Sequence, residues 1–279
     1  MTARLLHLSD LHFGAGRDAE VELGVKALVE RVEPELIVAS GDLTHRAKRR
    51  QHEDVARFLR SLGPPLLAVP GNHDIPWTAR RMTGPFKEFE RVWQTTEPLF
   101  QSASLQVVGL NSARPWRHQS GGIRNSQLAR TRELFATSPP EALRVVVLHH
   151  HLIGAPWRSR KKPVSHRNAV LAGMVDAGAE LILAGHIHQA AVSERHEFEV
   201  VGAAARGVVV SVAPGLGRPR PSRKGEARGA HTYTVSKTEI EVETSVWEDE
   251  EWAVTAVRRF SRAGGALPAT SSSSPAPSR

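Results

Sequence analysis

Short apolar runs that stop abruptly at histidine, aspartate or asparagine constrain this chain more than any other feature. Leu66-Leu67-Ala68-Val69-Pro70 runs straight into Gly71-Asn72-His73-Asp74. That loop places an amide, an imidazole and a carboxylate together, and all three can bind a metal or a phosphate. The pattern recurs. Leu5 to Ser9 precedes Asp10-Leu11-His12, and Leu36 to Ser40 precedes Gly41-Asp42. Leu143 to Leu148 precedes His149-His150-His151, and Leu181 to Ala184 precedes Gly185-His186-Ile187-His188. Continuous apolar runs of this length read as strands buried on both faces. In open α/β sheets, ligands bind beyond the carboxyl ends of the strands. The pattern therefore predicts that loops far apart in sequence meet at one edge, bringing two carboxylates, an amide and at least four imidazoles.

The intervening segments fit that architecture. Asp18 to Arg31 has helical spacing, with Val21, Val25, Leu28 and Val32 on one face and Pro34 closing it. His45 to Leu62 reads as a basic amphipathic helix with Val55, Phe58, Leu59 and Leu62 inward. Residues 76–98, with three prolines and two tryptophans, read as a partly helical insertion. Leu105 to Leu110 is a further strand, and Asn125 to Phe135 and His166 to Ala177 are further helices. From about residue 197 the helices stop. Phe198-Glu199-Val200-Val201, Val208 to Val212, His231 to Val235 and Ile240 to Val246 follow as strands. Residues 263–279 are rich in Ser, Pro and Ala and are expected to be disordered. The prediction is one layered α/β domain over residues 1–262, with strands inside and helices outside.

Composition narrows the chemistry. The 279 residues contain no cysteine, which removes disulfides, thiolate metal sites and cysteine nucleophiles. They contain 14 histidines and a formal net charge of +8, which favours anionic partners. No apolar run approaches the ~20 residues that span a bilayer. The N-terminal apolar stretch is too short for a signal peptide and lacks a small-residue cleavage site. A cytoplasmic protein without membrane contact is expected.

The ordered blocks Asp10-Leu-His12, Gly41-Asp42, Gly71-Asn72-His73-Asp74, His149 and Gly185-His186-Ile-His188 resemble the calcineurin-like metallophosphoesterases. All five stand in the family's order across residues 10–188. The resemblance implies a four-layer α-β-β-α sandwich with two transition-metal ions, Fe, Mn or Zn, at the strand ends. Asp10, His12 and His188 would hold the first ion, Asp42 would bridge both, and Asn72, His149 and His186 would complete the second. His150 is the alternative to His149, and the family's frequent proline after these histidines is Leu152 here. A carboxylate is the ligand type that bridges two cations. Two ions ~3.5–4 Å apart clamp the attacking and leaving oxygens of an in-line displacement and lower the pKa of a bridging water. His73 would then face the phosphate and assist the leaving oxygen, with Asp74 close enough in sequence to orient it.

Other local features resemble the class III cyclic nucleotide phosphodiesterases. These are the Asp-Leu-His opening, Gly109-Leu110-Asn111-Ser112, Gly121-Gly122 before Gln127-Leu128, and the run of histidines; Asn111 replaces an aspartate common among relatives. The expected substrate is a small phosphodiester, foremost a 3′,5′-cyclic nucleotide. Trp77, Trp116 and Trp157 fall in loops that should border the site, and one could stack a base. The alternative is a nuclease of the same superfamily, since Arg46 to Arg50, Arg158 to Arg167 and Arg218 to Arg228 could follow a nucleic acid backbone. No additional DNA-binding domain or coiled coil supports it. The complete ligand set opposes a third reading, a non-catalytic scaffold. His7, His45, His52, His118, His166, His196 and His231 read as structural. The β-rich last third could pair across a homodimer, although nothing in it demands one.

Overall fold

The chain alternates strand and helix through about its first two thirds, then continues as strands that pair mostly antiparallel. A computed structural model describes residues 2–117, 119–157, 159–196, 207–217 and 226–262; the strand expected at 198–201 and the tail from 263 lie outside these. In chain order come β1 (Ala3–Leu8), α1 (Asp18–Val32), β2 (Leu36–Ala39), α2 (Arg49–Ser61) and β3 (Leu66–Ala68). Then follow α3 (Arg80–Thr83), α4 (Lys87–Trp93), β4 (Leu99–Gln101), β5 (Leu105–Gly109), α5 (Asn125–Ala136) and β6 (Leu143–Val147). The remainder is α6 (Arg167–Asp176), β7 (Leu181–Ala184), β8 (Ala191–His196), β9 (Gly207–Val212), β10 (Gly229–Val235), β11 (Glu239–Glu248) and β12 (Glu251–Ser261).

Two six-stranded sheets form, ordered β12-β11-β10-β1-β2-β3 and β4-β5-β6-β7-β9-β8. β1, β2 and β3 are parallel, as are β5, β6, β7 and β9. Side chains alternate between faces along each strand, which divides the apolar residues among three cores. Leu5, Leu36, Val38 and Leu67 meet Val107, Val145, Val147 and Leu183 between the sheets. Leu6, Leu8, Ile37 and Ala39 point the other way and pack against Val21, Val25 and Leu28 of α1 and Phe58 and Leu59 of α2. Val108, Val146, Ile182 and Val210 do the same beneath Phe135 of α5 and Val170, Leu171 and Met174 of α6. The result is the α-β-β-α sandwich, and it explains why the inner strands read as unbroken apolar runs.

Four elements differ from the sequence reading. α2 starts at Arg49, four residues after the expected His45. The chain first pairs His45 N with Phe13 O (2.9 Å), and Thr44 Oγ1 accepts from Ala47 N (3.0 Å), holding residues 45–48 as a loop. β4, β8 and β12 are absent from the sequence reading. β12 is largely exposed along its length, so it lacks the apolar periodicity that marks a strand. Its turn, Asp249-Glu250, takes positive φ at both positions (50° and 62°), the geometry of a two-residue hairpin usually made by Asn-Gly.

Candidate metal centre

The parallel strands of both sheets end at the same edge, and the loops that follow bring the expected residues together. The backbone there is unusual. Asp10 (φ 54°), His12 (48°), Asp42 (51°), His186 (74°) and His188 (58°) all adopt the left-handed region. Only a few per cent of non-glycine residues do so, at a cost of ~1–3 kcal/mol each. Neighbouring strand ends hold them there: Asp10 N donates to Gly41 O (3.0 Å), His12 N to Asp42 O (2.9 Å), and His186 N to Asp10 Oδ2 (2.9 Å). Glycine is required where the loops touch. A Cβ on Gly71 would stand 2.2 Å from Asp42 Oδ1, and one on Gly185 would stand 1.8 Å from Ser9 Oγ.

Among the described residues three groups of ligand atoms result: two are buried throughout, and the third, His12, His45 and His73, is half-buried at His45 and His73. Asp10, His12 and His188 each offer an atom within 4.8 Å of the others, and so do Asp42, His149 and His186. In the first, Asp10 Oδ1 lies 2.8 Å from His188 Nε2 and 3.8 Å from His12 Nε2, and those two nitrogens are 3.4 Å apart. Ser9 Oγ donates to the other Asp10 oxygen (2.7 Å) and leaves Oδ1 facing the imidazoles. In the second, His149 Nε2 lies 3.3 Å from Asp42 Oδ1, 3.2 Å from Asn72 Oδ1 and 3.2 Å from His186 Nδ1. Asp42 stands between the groups, its second oxygen 3.9 Å from His12 Nε2.

The outer nitrogens are tied back. His149 Nδ1 donates to Ser40 O (2.8 Å), and His186 Nε2 to Gln119 O (3.2 Å). Such carbonyl partners fix the tautomer that presents the other nitrogen inward. His150 is different: its Nδ1 meets Ser112 Oγ at 2.9 Å, outside the Asp42 group. His149 is the member of the triplet that faces Asp42 and Asn72. Asn111 uses its side chain to accept from Ala113 N (3.0 Å), a turn closure.

The electrostatics suit cations. Burial alone would raise both carboxyls, yet His188 holds Asp10, and His149 and His73 hold Asp42, well below the usual carboxylate range. Burial depresses His12 and His186 well below ordinary imidazole, so both present neutral lone pairs. His149 moves the other way, to about 9, because the Asp42 charge and hydrogen bond outweigh its burial. Among the described residues, Asp42 Oδ2 and His12 Nδ1 are buried without a hydrogen-bond partner. Convergent imidazole nitrogens and carboxylate oxygens, with an orphaned anionic oxygen between them, fit two borderline transition-metal ions.

His73 lies beside this set and is half-buried. Its Nδ1 donates to His45 O (2.9 Å), and its ring stands perpendicular to His12 at 4.8 Å and parallel to His45 at 6.0 Å. Asp74 does not orient it. The Asp74 carboxylate accepts from Leu43 N, Thr44 N, Thr44 Oγ1 and Gly71 N at 2.9–3.1 Å, which ties the Asp42 loop to the Asn72 loop. Thus the neighbour in sequence braces the loops, and a carbonyl supplied by an unanticipated residue, His45, sets the His73 tautomer. The sequence signal for His45 was its place three residues beyond Asp42, obscured by reading 45–62 as helix. Trp77 is exposed, with its ring 6.1 Å from His73. Trp116 and Trp157 are also exposed. Lys161, likewise unanticipated, donates to the His186 carbonyl.

The calcineurin-like phosphoesterase family profile matches residues 3–190. The chain belongs to this family. It is 26% identical over 217 residues to a probable cyclic nucleotide phosphodiesterase of Synechococcus sp., covering 70% of this chain and 77% of that protein. It is 28% identical over 214 residues to the 3′,5′-cyclic adenosine monophosphate phosphodiesterase CpdA of Haemophilus influenzae, covering 71% and 74%. Its fold matches that of a purple acid phosphatase from yellow lupin seeds at a TM-score of 0.67 and 13% identity, over 94% of this chain; the chain spans 54% of the plant protein. Family and fold make it a metal-dependent phosphoester hydrolase with a dinuclear centre. Among the described residues no helix is long and apolar enough to cross a membrane.

Proposed function

We propose that this metallophosphoesterase hydrolyses phosphodiesters, foremost 3′,5′-cyclic nucleotides. Asp10, His12 and His188 would hold one ion and Asn72, His149 and His186 the other. Asp42 would be shared between them. The observation that carries the two-ion reading is the position of Asp42, with one oxygen 3.3 Å from His149 Nε2 and the other 3.9 Å from His12 Nε2. When bound, the ion pair supplies positive charge for the phosphoryl oxygens and lowers the pKa of a water.

The chain's own groups do the rest. Ser9, Ser40 and Gln119 hold the ligating side chains in orientation through the hydrogen bonds described above. His73 is the half-buried member of the edge and has its Nδ1 committed to His45 O. A transferable proton is therefore carried on Nε2 in the imidazolium form; we assign that proton to the leaving oxygen of the ester, which leaves neutral His73 with its Nδ1–H still on His45 O. The cyclic nucleotide preference is supported by the likeness to relatives named for that activity over about 70% of the chain. A panel of cyclic AMP, cyclic GMP, bis-p-nitrophenyl phosphate and p-nitrophenyl phosphate on the Mn²⁺-loaded protein tests it. Cyclic nucleotides should give the highest kcat/KM, and preference for the monoester would overturn the reading.

A further inference from the structure

A groove of about 970 Å³ opens beside His73, between the loop 46–49 and the segment 76–88. Its inner end is Trp77, which is 60% exposed and 6.1 Å from the His73 ring, together with Arg46, the chain neighbour of His45. Arg46, Lys48, Arg80 and Lys87 line it, all exposed. None of the four has a carboxylate partner among the described residues. Nearby cations are paired, Arg49 with Glu53 at 3.1 Å and Arg91 with Glu88 at 3.0 Å. Glu88, the one acid on the wall, is thereby engaged.

We propose that this groove binds the flanking nucleotides of a single-stranded oligonucleotide whose scissile phosphodiester lies at the Asp42 centre. The inference rests on the phosphodiesterase reading above and extends its substrate class. A cyclic mononucleotide carries one phosphate, which the centre itself takes, and it leaves four unneutralised cations beyond. A linear strand carries a phosphate at every nucleotide, so it continues the charge along the groove. The exposed indole at the junction stacks an unpaired base, the combination by which proteins hold single strands without reading sequence. A duplex has its base faces closed to such a ring. The groove volume stands at the upper end of the ~300–1,000 Å³ of small-ligand sites, which suits a bound segment of chain.

The test compares oligothymidylates, from dinucleotide to octamer, with bis-p-nitrophenyl phosphate on the Mn²⁺-loaded protein. It adds fluorescence anisotropy with a labelled phosphorothioate octamer, which reports binding without cleavage. With about 0.7 ions released per phosphate contact, four cations should give a log–log salt slope near ~−3 for octamer binding. kcat/KM should rise roughly tenfold from dinucleotide to octamer, the scale of one stacking contact. Arg80→Ser with Lys87→Ser should reduce the slope by about half and flatten the length dependence, with bis-p-nitrophenyl phosphate turnover unchanged. Trp77→Ala should weaken octamer binding roughly 5- to 100-fold. Length-independent turnover with intact bis-p-nitrophenyl phosphate hydrolysis overturns the groove and leaves the phosphodiesterase reading standing. So does stronger binding to phosphatidylglycerol vesicles than to the octamer. Octamer binding by a protein that hydrolyses no diester would uphold the groove and overturn the activity.

Discussion

Two sets of buried histidines sit close together in this molecule and differ in what their ring nitrogens face. His7 and His231 lie inside β1 and β10, opposite one another in register. Hydroxyl groups meet three of their four nitrogens: His7 Nε2 with Ser40 Oγ at 2.8 Å, His7 Nδ1 with Tyr233 Oη at 3.2 Å, and His231 Nδ1 with Ser211 Oγ at 2.9 Å. Burial depresses both, His231 to about 3. His12, His149, His186 and His188 are equally buried but stand beyond the strand ends, where their nitrogens converge on Asp10 and Asp42. Burial therefore does not distinguish a ligand from a packed imidazole. The distinction is one step past the strand end, where loops from both sheets meet and a carboxylate comes within reach. The two sets touch at Ser40, whose hydroxyl serves His7 and whose carbonyl serves His149.

Variants of each set should separate them. Asp42→Ala should abolish turnover and lower metal content at both positions, since its two oxygens lie 3.9 Å from His12 and 3.3 Å from His149; full metal content measured by mass spectrometry would contradict its shared role. His149→Ala should lose one metal equivalent, and His150→Ala should keep two, because His150 faces Ser112. Equal losses would place His150 among the ligands. His73→Ala should keep both metals and lose ~10²–10⁴ in rate on esters with poor leaving groups, the scale of general acid catalysis. The loss should shrink on bis-p-nitrophenyl phosphate, whose leaving group needs no proton; an identical loss on both would remove the acid role.

The strand-interior set should instead respond through stability. Between pH 6.5 and 5 an unfolded His231 takes up a proton. The folded one refuses it, because burial and then the Arg258 charge hold its pKa at about 3. The unfolded state binds more protons in that window, so stability falls as pH falls through it and is unaffected above. The expected loss from this group is ~2 kcal/mol at pH 5. Urea midpoints of wild type and His231→Gln at pH 7 and pH 5 check it; a parallel fall in both would exclude His231. His7→Phe should cost ~1–3 kcal/mol by leaving the buried Ser40 hydroxyl unpaired, while Tyr233 keeps its bond to Ser211 Oγ (2.7 Å), with metal content unchanged.

Much of this contrast is legible in sequence. Both-face burial leaves unbroken apolar runs such as Leu36 to Ala39 and Leu181 to Ala184, and the polar residue that ends each run marks the edge. The layered fold follows from that alternation. What escapes is whatever depends on a distant partner. β12 lies at the edge of its sheet, so its exposed residues carry no period, and Asp249-Glu250 turns the chain without the Gly that would announce it. Asp74 follows His73 in sequence but bonds to residues 31 positions away, at Leu43, while His45 reaches His73 from across the site. Ser40 O and Gln119 O act through backbone atoms, on which side-chain identity is silent.

The shared position of Asp42 is most directly tested by titrating metal-stripped protein with Mn²⁺ while following bis-p-nitrophenyl phosphate hydrolysis, for wild type and Asp42→Ala side by side. Two equivalents per wild-type chain are expected, with turnover appearing as the second binds and neither retained by the variant. A single equivalent sufficient for full turnover, or two tightly held equivalents in Asp42→Ala, would contradict the two-metal assignment.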